Sequence, residues 1–262
     1  MSQNRLRLSL LTTYRARKDY LSVLLRWLSR VREVEGFTDF ELILVEGDVN
    51  PTAAEAATAH DWVRYLHVPM TGVFHKQVLI NRAVSLARGD YLIPYDVDLL
   101  PAEGVLAKHL ELATELPRCL VAGYRVQLPE LWGEGEPLPT SGDLVGRMSI
   151  KDERLICEED IYSSLLEYLL EHQRFGVNPC IPAKLFCEVG GVDEHYVGWG
   201  AEDQDLIERV CHAGLLLVRP YELLYFHLAH EYEEDWFNAK QTEANRRRLR
   251  EARSARLAGT AR

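Results

Sequence analysis

Three stretches carry residues whose types and spacing could do chemistry together. The first is "YDVDLLP" (95–101), where Asp96 and Asp98 follow an apolar run. In an extended segment residues i and i+2 point to the same side, so both carboxylates could face one ligand. Carboxylates beside a core are costly to desolvate unless something compensates them. A hard divalent cation, completed by phosphate oxygens and water, is one such partner, and a solvated turn is the plainer reading. The second is "GWGAEDQDLIERV" (198–210), in which Gly198 and Gly200 flank Trp199 and Glu202, Asp203 and Asp205 follow at a predicted helix start. Acidic residues suit the positive end of a helix dipole, so a simple acidic first turn explains the pattern. The same residues also have the parts of a closing acceptor site: a mobile loop, a stacking ring and a base. The third is "YFHLAHE", with His227 and His230. A neutral imidazole is a competent metal ligand, but ordinary histidines in a partly buried strand explain this pair unless Asp98 comes near.

The elements that must position these groups follow an alternating rhythm. "LRLSLLTTY", "FELILVEGD", "VRYLHVPM" and "DYLIPYDVD" read as strands. Between them "YLSVLLRWLSRVREV", "PTAAEAATAHDW" and "HKQVLINRAVSLARG" read as helices, the last closed by Gly89. This βαβα order predicts an α/β fold with a mixed, mostly parallel sheet flanked by helices. Ligands of such sheets bind beyond the carboxyl ends of the strands, so the loops after Leu11, Val45 and Tyr95 should converge on one crevice. That places Glu46, just past Val45, among the substrate-binding candidates. The second half is less regular. Residues 127–157 contain "PELWGEGEPLPTSGD", which reads as a long loop of the functional or mobile kind. A helix "EEDIYSSLLEYLLEH", a strand "RFGVNPCIP", a last strand "LLLVRPYELLYFHLAH" and a charged helix from Glu233 follow. With no repeat or linker, residues 1–262 are expected to form one domain: a nucleotide-binding half (1–100), an acceptor and catalytic half (101–232) and a basic C-terminal helix (233–262).

Composition narrows the function classes. The net charge of −10 argues against a general nucleic-acid binder. Residues 240–262 hold eight Lys/Arg against two Asp/Glu, so the rest of the chain is the more acidic. That basic tail reads first as a solvated helix end, and second as a contact for an acidic membrane surface. Five cysteines without CxxC spacing fit reduced thiols. No signal pattern or membrane-length apolar run is present. The expected location is cytoplasmic, with peripheral contact at the inner membrane face through the C-terminal helix.

Taken in order, "TTYRAR" (12–17), "FHKQVLINRA" (74–83), "YDVDLLP" (95–101), "GGVDEHYVGWGAEDQDL" (190–206) and "FHLAH" (226–230) resemble the metal-dependent GT-A glycosyltransferases. The resemblance is to the β-1,4-galactosyltransferase type and bacterial chondroitin-polymerase-like enzymes, over about residues 6–231. It implies a GT-A (nucleotide-diphospho-sugar transferase, Rossmann-like) fold and inverting transfer from a UDP-sugar to a saccharide hydroxyl, with Mn2+ on the diphosphate. By position, Asp98 would bind the metal, His227 or His230 would complete its ligands, and Asp96 would support the ribose or brace the metal. Asp203 would be the base that deprotonates the acceptor, Glu202 would hold the sugars, and Trp199 and Gly200 would belong to the loop closing over the donor. Tyr14, Arg15 and Arg17 match the family's first-loop "FRNR" segment near the nucleotide. Lys76 stands where the family has an arginine near the diphosphate. Asn178 could touch the donor sugar, though turn chemistry at Asn-Pro explains it equally well. The chain departs from the pattern in lacking a stem and membrane anchor, which suggests a bacterial cytosolic form, and in Ala201, where glycine is usual. A sugar nucleotidyltransferase and a non-catalytic UDP- or sugar-binding relative are the alternatives; against the first, no Gly-rich, Lys/Arg-bearing loop follows the first strand.

Overall fold

In the computed structural model of the chain, β1 (Leu8–Tyr14) is buried at every position, and its neighbour β2 (Phe40–Asp48) at all but the last. Continuous apolar runs of this kind are what a parallel strand covered on both faces requires. The structure describes residues 7–128, 131–133, 135–149, 156–157, 177–230 and 238–259. β2 pairs parallel with β1 and with β3 (Val63–Pro69), and β1 pairs parallel with β4 (Tyr91–Tyr95). Side chains alternate across this sheet. Leu8, Leu10, Leu42 and Leu44 face α1 (Lys18–Glu33) and α4 (Val105–Glu115), whereas Leu11, Ile43 and Val45 face α3 (Lys76–Val84). The result is a sheet between two helical layers.

Beyond β4 the sheet becomes mixed. Its order is β3-β2-β1-β4-β8-β6-β10-β5, where β5 is Leu99–Pro101, β6 Cys119–Gln127, β8 Val177–Pro182 and β10 Leu224–His227. β6 also pairs with β7 (Ile156–Cys157) and, in parallel, with β9 (Leu216–Val218). α2 is Ala54–Thr58, α5 Ser141–Ser149, and we number the remaining described helices α6 (Ala183–Glu188), α7 (Glu202–His212) and α8 (Ala239–Leu257).

Several elements differ from expectation for identifiable reasons. The segment 51–62 is helical only at Ala54–Thr58, because Glu46 accepts the backbone N–H groups of Thr52 and Ala53 and fixes the approach to the helix. α3 stops at Val84, and Gly89 lies where a Cβ would fall 2.6 Å from the Ser9 nitrogen, so the chain must be bare there to pass β1. The last predicted strand is two strands, broken by a turn in which Leu223 N–H donates to the Pro220 carbonyl. The long loop contains α5, which opens on a capping box: Asp143 N–H donates to Thr140 Oγ1 and Thr140 N–H to Asp143 Oδ2. Arg30 donates to the carbonyls of Leu138 and Pro139, tying the preceding loop to α1. The predicted helix "EEDIYSSLLEYLLEH" lies outside the described residues. Cys119, Cys180, Cys187 and Cys211 are free thiols, and no described helix is long and apolar enough to cross a membrane.

Candidate functional site

The pairing registers fix where the site forms. Tyr14 lies opposite Glu46 at the ends of β1 and β2, and Thr12 opposite Tyr95, so three strand ends meet at one edge. Directly after Tyr95 the chain turns: Leu99 N–H donates to the Asp96 carbonyl. Asp96 and Asp98 therefore occupy a turn and not an extended strand, and their side chains have different partners. Asp96 points to Lys76 (2.7 Å), while Asp98 points to Arg17 and two histidines.

Asp98 is buried and sits at the centre of a converging group. The antiparallel ladder between β5 and β10 places His227 opposite Leu99, and Leu228 N–H donates to the Asp98 carbonyl. Asp98 Oδ1 lies 3.6 Å from His227 Nε2, and Oδ2 lies 3.5 Å from His230 Nε2. One ligand atom from each of the three lies within 4.8 Å of the others. Burial alone would raise the Asp98 pKa, but its hydrogen bond to His227 and the charges of His227, Arg17 and His230 hold it well below the carboxylate range. A carboxylate kept ionised beside two imidazoles is a donor set that fits a divalent transition metal such as Mn2+. Both histidines are within reach. The Arg17 guanidinium, 2.7 Å from Asp98 Oδ2 and lying over the Tyr20 ring, supplies positive charge at the same carboxylate.

Lys76 joins Asp96, two residues before Asp98 in the chain, to the acidic helix. It is buried at the first turn of α3, with its ammonium 2.7 Å from Asp96 Oδ1 and 3.9 Å from Asp203 Oδ1. Burial would lower its pKa, but the carboxylates of Asp203, Asp96 and Glu202 raise it, so it stays charged. The three acids at the start of α7 have separate environments. Asp205 is consumed by Arg209 (2.7 Å) and Arg256 (3.0 Å). Glu202 is buried, with Oε2 lacking a hydrogen-bond partner; burial and the Asp203 charge push its carboxyl up to about 7, against the pull of Lys76. Asp203 has a side chain 56% exposed, open to an incoming group. Ala201, directly before the helix, holds φ 73, the left-handed region glycine adopts without penalty.

The nucleotide-side candidates are placed at the same edge, with unequal freedom. Tyr14 shares a hydrogen bond with Thr52. Glu46 is wholly buried and accepts from Thr52 N–H and Oγ1, Ala53 N–H and the Tyr65 hydroxyl, bonds that depress its pKa against burial. Its carboxylate builds the loop wall rather than standing open. Arg15 is braced on the Gly47 carbonyl (2.5 Å) and the Gly72 carbonyl (2.7 Å), with its guanidinium over the Phe74 ring. Asn178 is buried at φ 51 on β8, beside the Tyr225 hydroxyl. Trp199 is half-buried, and Gly200 follows it at φ 106.

Other residues in the site were not singled out by sequence reasoning. Thr52 and Tyr65 hold Glu46, and Tyr20 pins the histidine segment by donating to the Ala229 carbonyl. Asn81 bonds both ways with Val192 and reaches Glu194, fixing the approach to "GWGAED" together with Arg209, which donates to the Val189 and Gly191 carbonyls. Asn81 carried a usable signal, as one of two amides, with Gln77, among the apolar residues of α3. The basic C-terminal helix is not simply a solvated end: Arg248 pairs with Asp193, Arg253 with Glu208, and Arg256 with Asp205 and Glu208.

Comparison with known proteins bears on the fold and the family. The uncharacterized glycosyltransferase YfnE of Bacillus subtilis (strain 168) is 27% identical over 184 residues, covering 57% of this chain and 47% of that protein. The chain thus spans about half the length of the curated relative it matches. Among solved structures, S. aureus TarS 1-349 in complex with UDP-GlcNAc matches with a TM-score of 0.58 and 14% identity, over 87% of this chain and 60% of that chain. That likeness concerns the fold, the GT-A arrangement of a curled, mostly parallel sheet flanked by helices. The sequence profile described as "Glycosyltransferase like family 2" matches residues 26–245, most of the chain, and the protein belongs to that family.

Proposed function

We propose that the chain is an inverting, divalent-metal-dependent glycosyltransferase that moves a hexose from a UDP-sugar to a saccharide hydroxyl, with galactose or an N-acetylhexosamine as the sugar. The observation that carries this reading is the convergence of Asp98, His227 and His230, linked through Asp96 and Lys76 to Asp203. The UDP-GlcNAc bound to the structural neighbour supports a nucleotide-sugar donor.

The residues divide the work by position. Asp98 with His227 and His230 would hold a divalent cation, which supplies Lewis-acid stabilisation of a diphosphate leaving group. Arg17 and Lys76 add fixed positive charge on the same side, where negative charge grows as the anomeric bond breaks. Asp203, the exposed acid of the trio, takes the proton from the acceptor hydroxyl as it attacks the face opposite the leaving group, which gives inversion. Glu202, buried beside it with an unpartnered oxygen, is placed to hydrogen-bond a sugar hydroxyl. Holding donor and acceptor together supplies a further share of the acceleration, on the order of several kcal/mol.

Turnover of UDP-sugars with Mn2+ and a saccharide acceptor tests the assignment. Asp203→Asn should abolish transfer and leave UDP binding within about two-fold of the parent, since the base acts only as the new bond forms. Near-normal transfer by Asp203→Asn would overturn the base assignment.

A further inference from the structure

The C-terminal helix α8 carries the chain's most basic stretch, yet it buries two polar side chains where it crosses the loop ahead of Glu202. Thr242 is 4% and Asn245 1% exposed. Asn245 Nδ2 donates to the carbonyls of Val197 (2.9 Å) and Trp199 (3.2 Å), and the Thr242 hydroxyl donates to the Trp199 carbonyl at 3.3 Å. Gln241 Nε2 donates to Asn245 Oδ1 (3.3 Å), which leaves the Asn245 amide N–H groups directed at the loop. A buried amide is tolerated only where its hydrogen bonds are made, and here the bonds from Nδ2 end on loop backbone.

Ion pairs hold the helix on both sides of that loop. Arg248 meets Asp193 before it (2.7 Å); Arg253 and Arg256 meet Glu208 and Asp205 after it (2.5 to 3.0 Å). The fit at the crossing is close: a Cβ on Gly200 would stand 3.2 Å from Thr242 Cγ2, in a backbone at φ 106.

We infer that Asn245 and Thr242 are positioning residues for the acceptor side of the site, holding the 197–200 loop so that Trp199 and Asp203 keep their places. The inference rests on the transferase reading for its catalytic consequence, but not for its structural one. In this role the basic helix is a brace for the site, and three of its arginines, Arg248, Arg253 and Arg256, serve the pairing with Asp193, Asp205 and Glu208.

Hydrogen exchange on the full chain, compared among the parent, Asn245→Ala, Thr242→Val and Thr242→Ser, tests it without any substrate. Amides of residues 197–203 should exchange about ten-fold faster in Asn245→Ala and about three-fold faster in Thr242→Val. Amides of β1 and β2 should be unchanged, and Thr242→Ser, which keeps the hydroxyl, should match the parent. In transfer assays, Asn245→Ala should lower kcat or raise the acceptor KM about ten-fold with UDP affinity held within two-fold. If Asn245→Ala fails to fold, Thr242→Val against Thr242→Ser carries the comparison. Unchanged loop exchange in Thr242→Val, or equal loosening throughout the chain, would overturn the inference. Should the parent show no transfer, the exchange pattern still decides the brace, and the transferase reading alone falls.

Discussion

Glu202 gives a perturbation whose size follows from its surroundings. Its carboxyl is buried beside the Asp203 charge, one oxygen lacks a partner, and its pKa stands at about 7 against an ordinary 4.5. Below pH 4.5 it is protonated in both the folded and unfolded chain, so it favours neither. As pH rises from 4.5 to 7 the unfolded chain releases the proton while the folded chain retains it, and stability falls until the folded group also ionises. Above pH 7 the accumulated penalty amounts to about 3 kcal/mol. Glu202→Gln removes the titration, so its effect relative to the parent should become more stabilising by that amount between pH 4.5 and 8, or roughly 5 °C or more in Tm. Urea unfolding of both proteins across that range, without nucleotide or metal, measures the difference. Under the proposed function the same variant should transfer sugar more slowly, because the unpartnered Oε2 would no longer offer a carboxylate to a sugar hydroxyl. Stability curves of the two proteins that stay parallel from pH 4.5 to 8 would show that the Glu202 carboxyl is not raised in the folded chain.

Further outcomes follow from other positions. Ala201→Gly relieves a left-handed residue at φ 73 and should raise stability by about 1 kcal/mol in urea unfolding at neutral pH. Lys76→Met leaves Asp96, Asp203 and Glu202 facing one another without their shared cation; it should cost about 3–5 kcal/mol and remove detectable transfer. Gly89→Ala would drive a methyl against the β1 backbone at 2.6 Å and should cost about 1–3 kcal/mol or more, seen as a lowered Tm.

The parallel half of the fold was legible because buried parallel strands write themselves as apolar runs: "LSLLTT" and "FELILV" have no other plausible use. The convergence of their ends, and with it the neighbourhood of Tyr14, Glu46 and Asp96, follows from that topology. The roles within the neighbourhood did not follow. A two-residue spacing puts Asp96 and Asp98 on one side only in a strand, and the chain turns there, sending one to Lys76 and the other to the histidines. That both His227 and His230 reach Asp98 depends on the β5–β10 register, a pairing across more than a hundred residues. The basic C-terminal stretch shows the same blindness. Counting charges gives its sign, but its partners Asp205 and Glu208 lie some fifty residues earlier, where they look like ordinary helix acids. The "TSGD" capping box is a local signal that the loop reading missed, because the Pro, Gly and acid content around it outweighed four residues of cap chemistry.

Under the proposed function Asp98, His227 and His230 hold a divalent cation that makes the crevice a nucleotide-diphosphate site. Calorimetric titration of UDP into the chain, with Mn2+ and with a chelator, tests it most directly in the parent and in Asp98→Ala. UDP binding should strengthen at least about ten-fold with Mn2+ in the parent and lose that dependence in Asp98→Ala. Equal UDP affinity with and without metal in the parent, or a metal effect that survives Asp98→Ala, would contradict it.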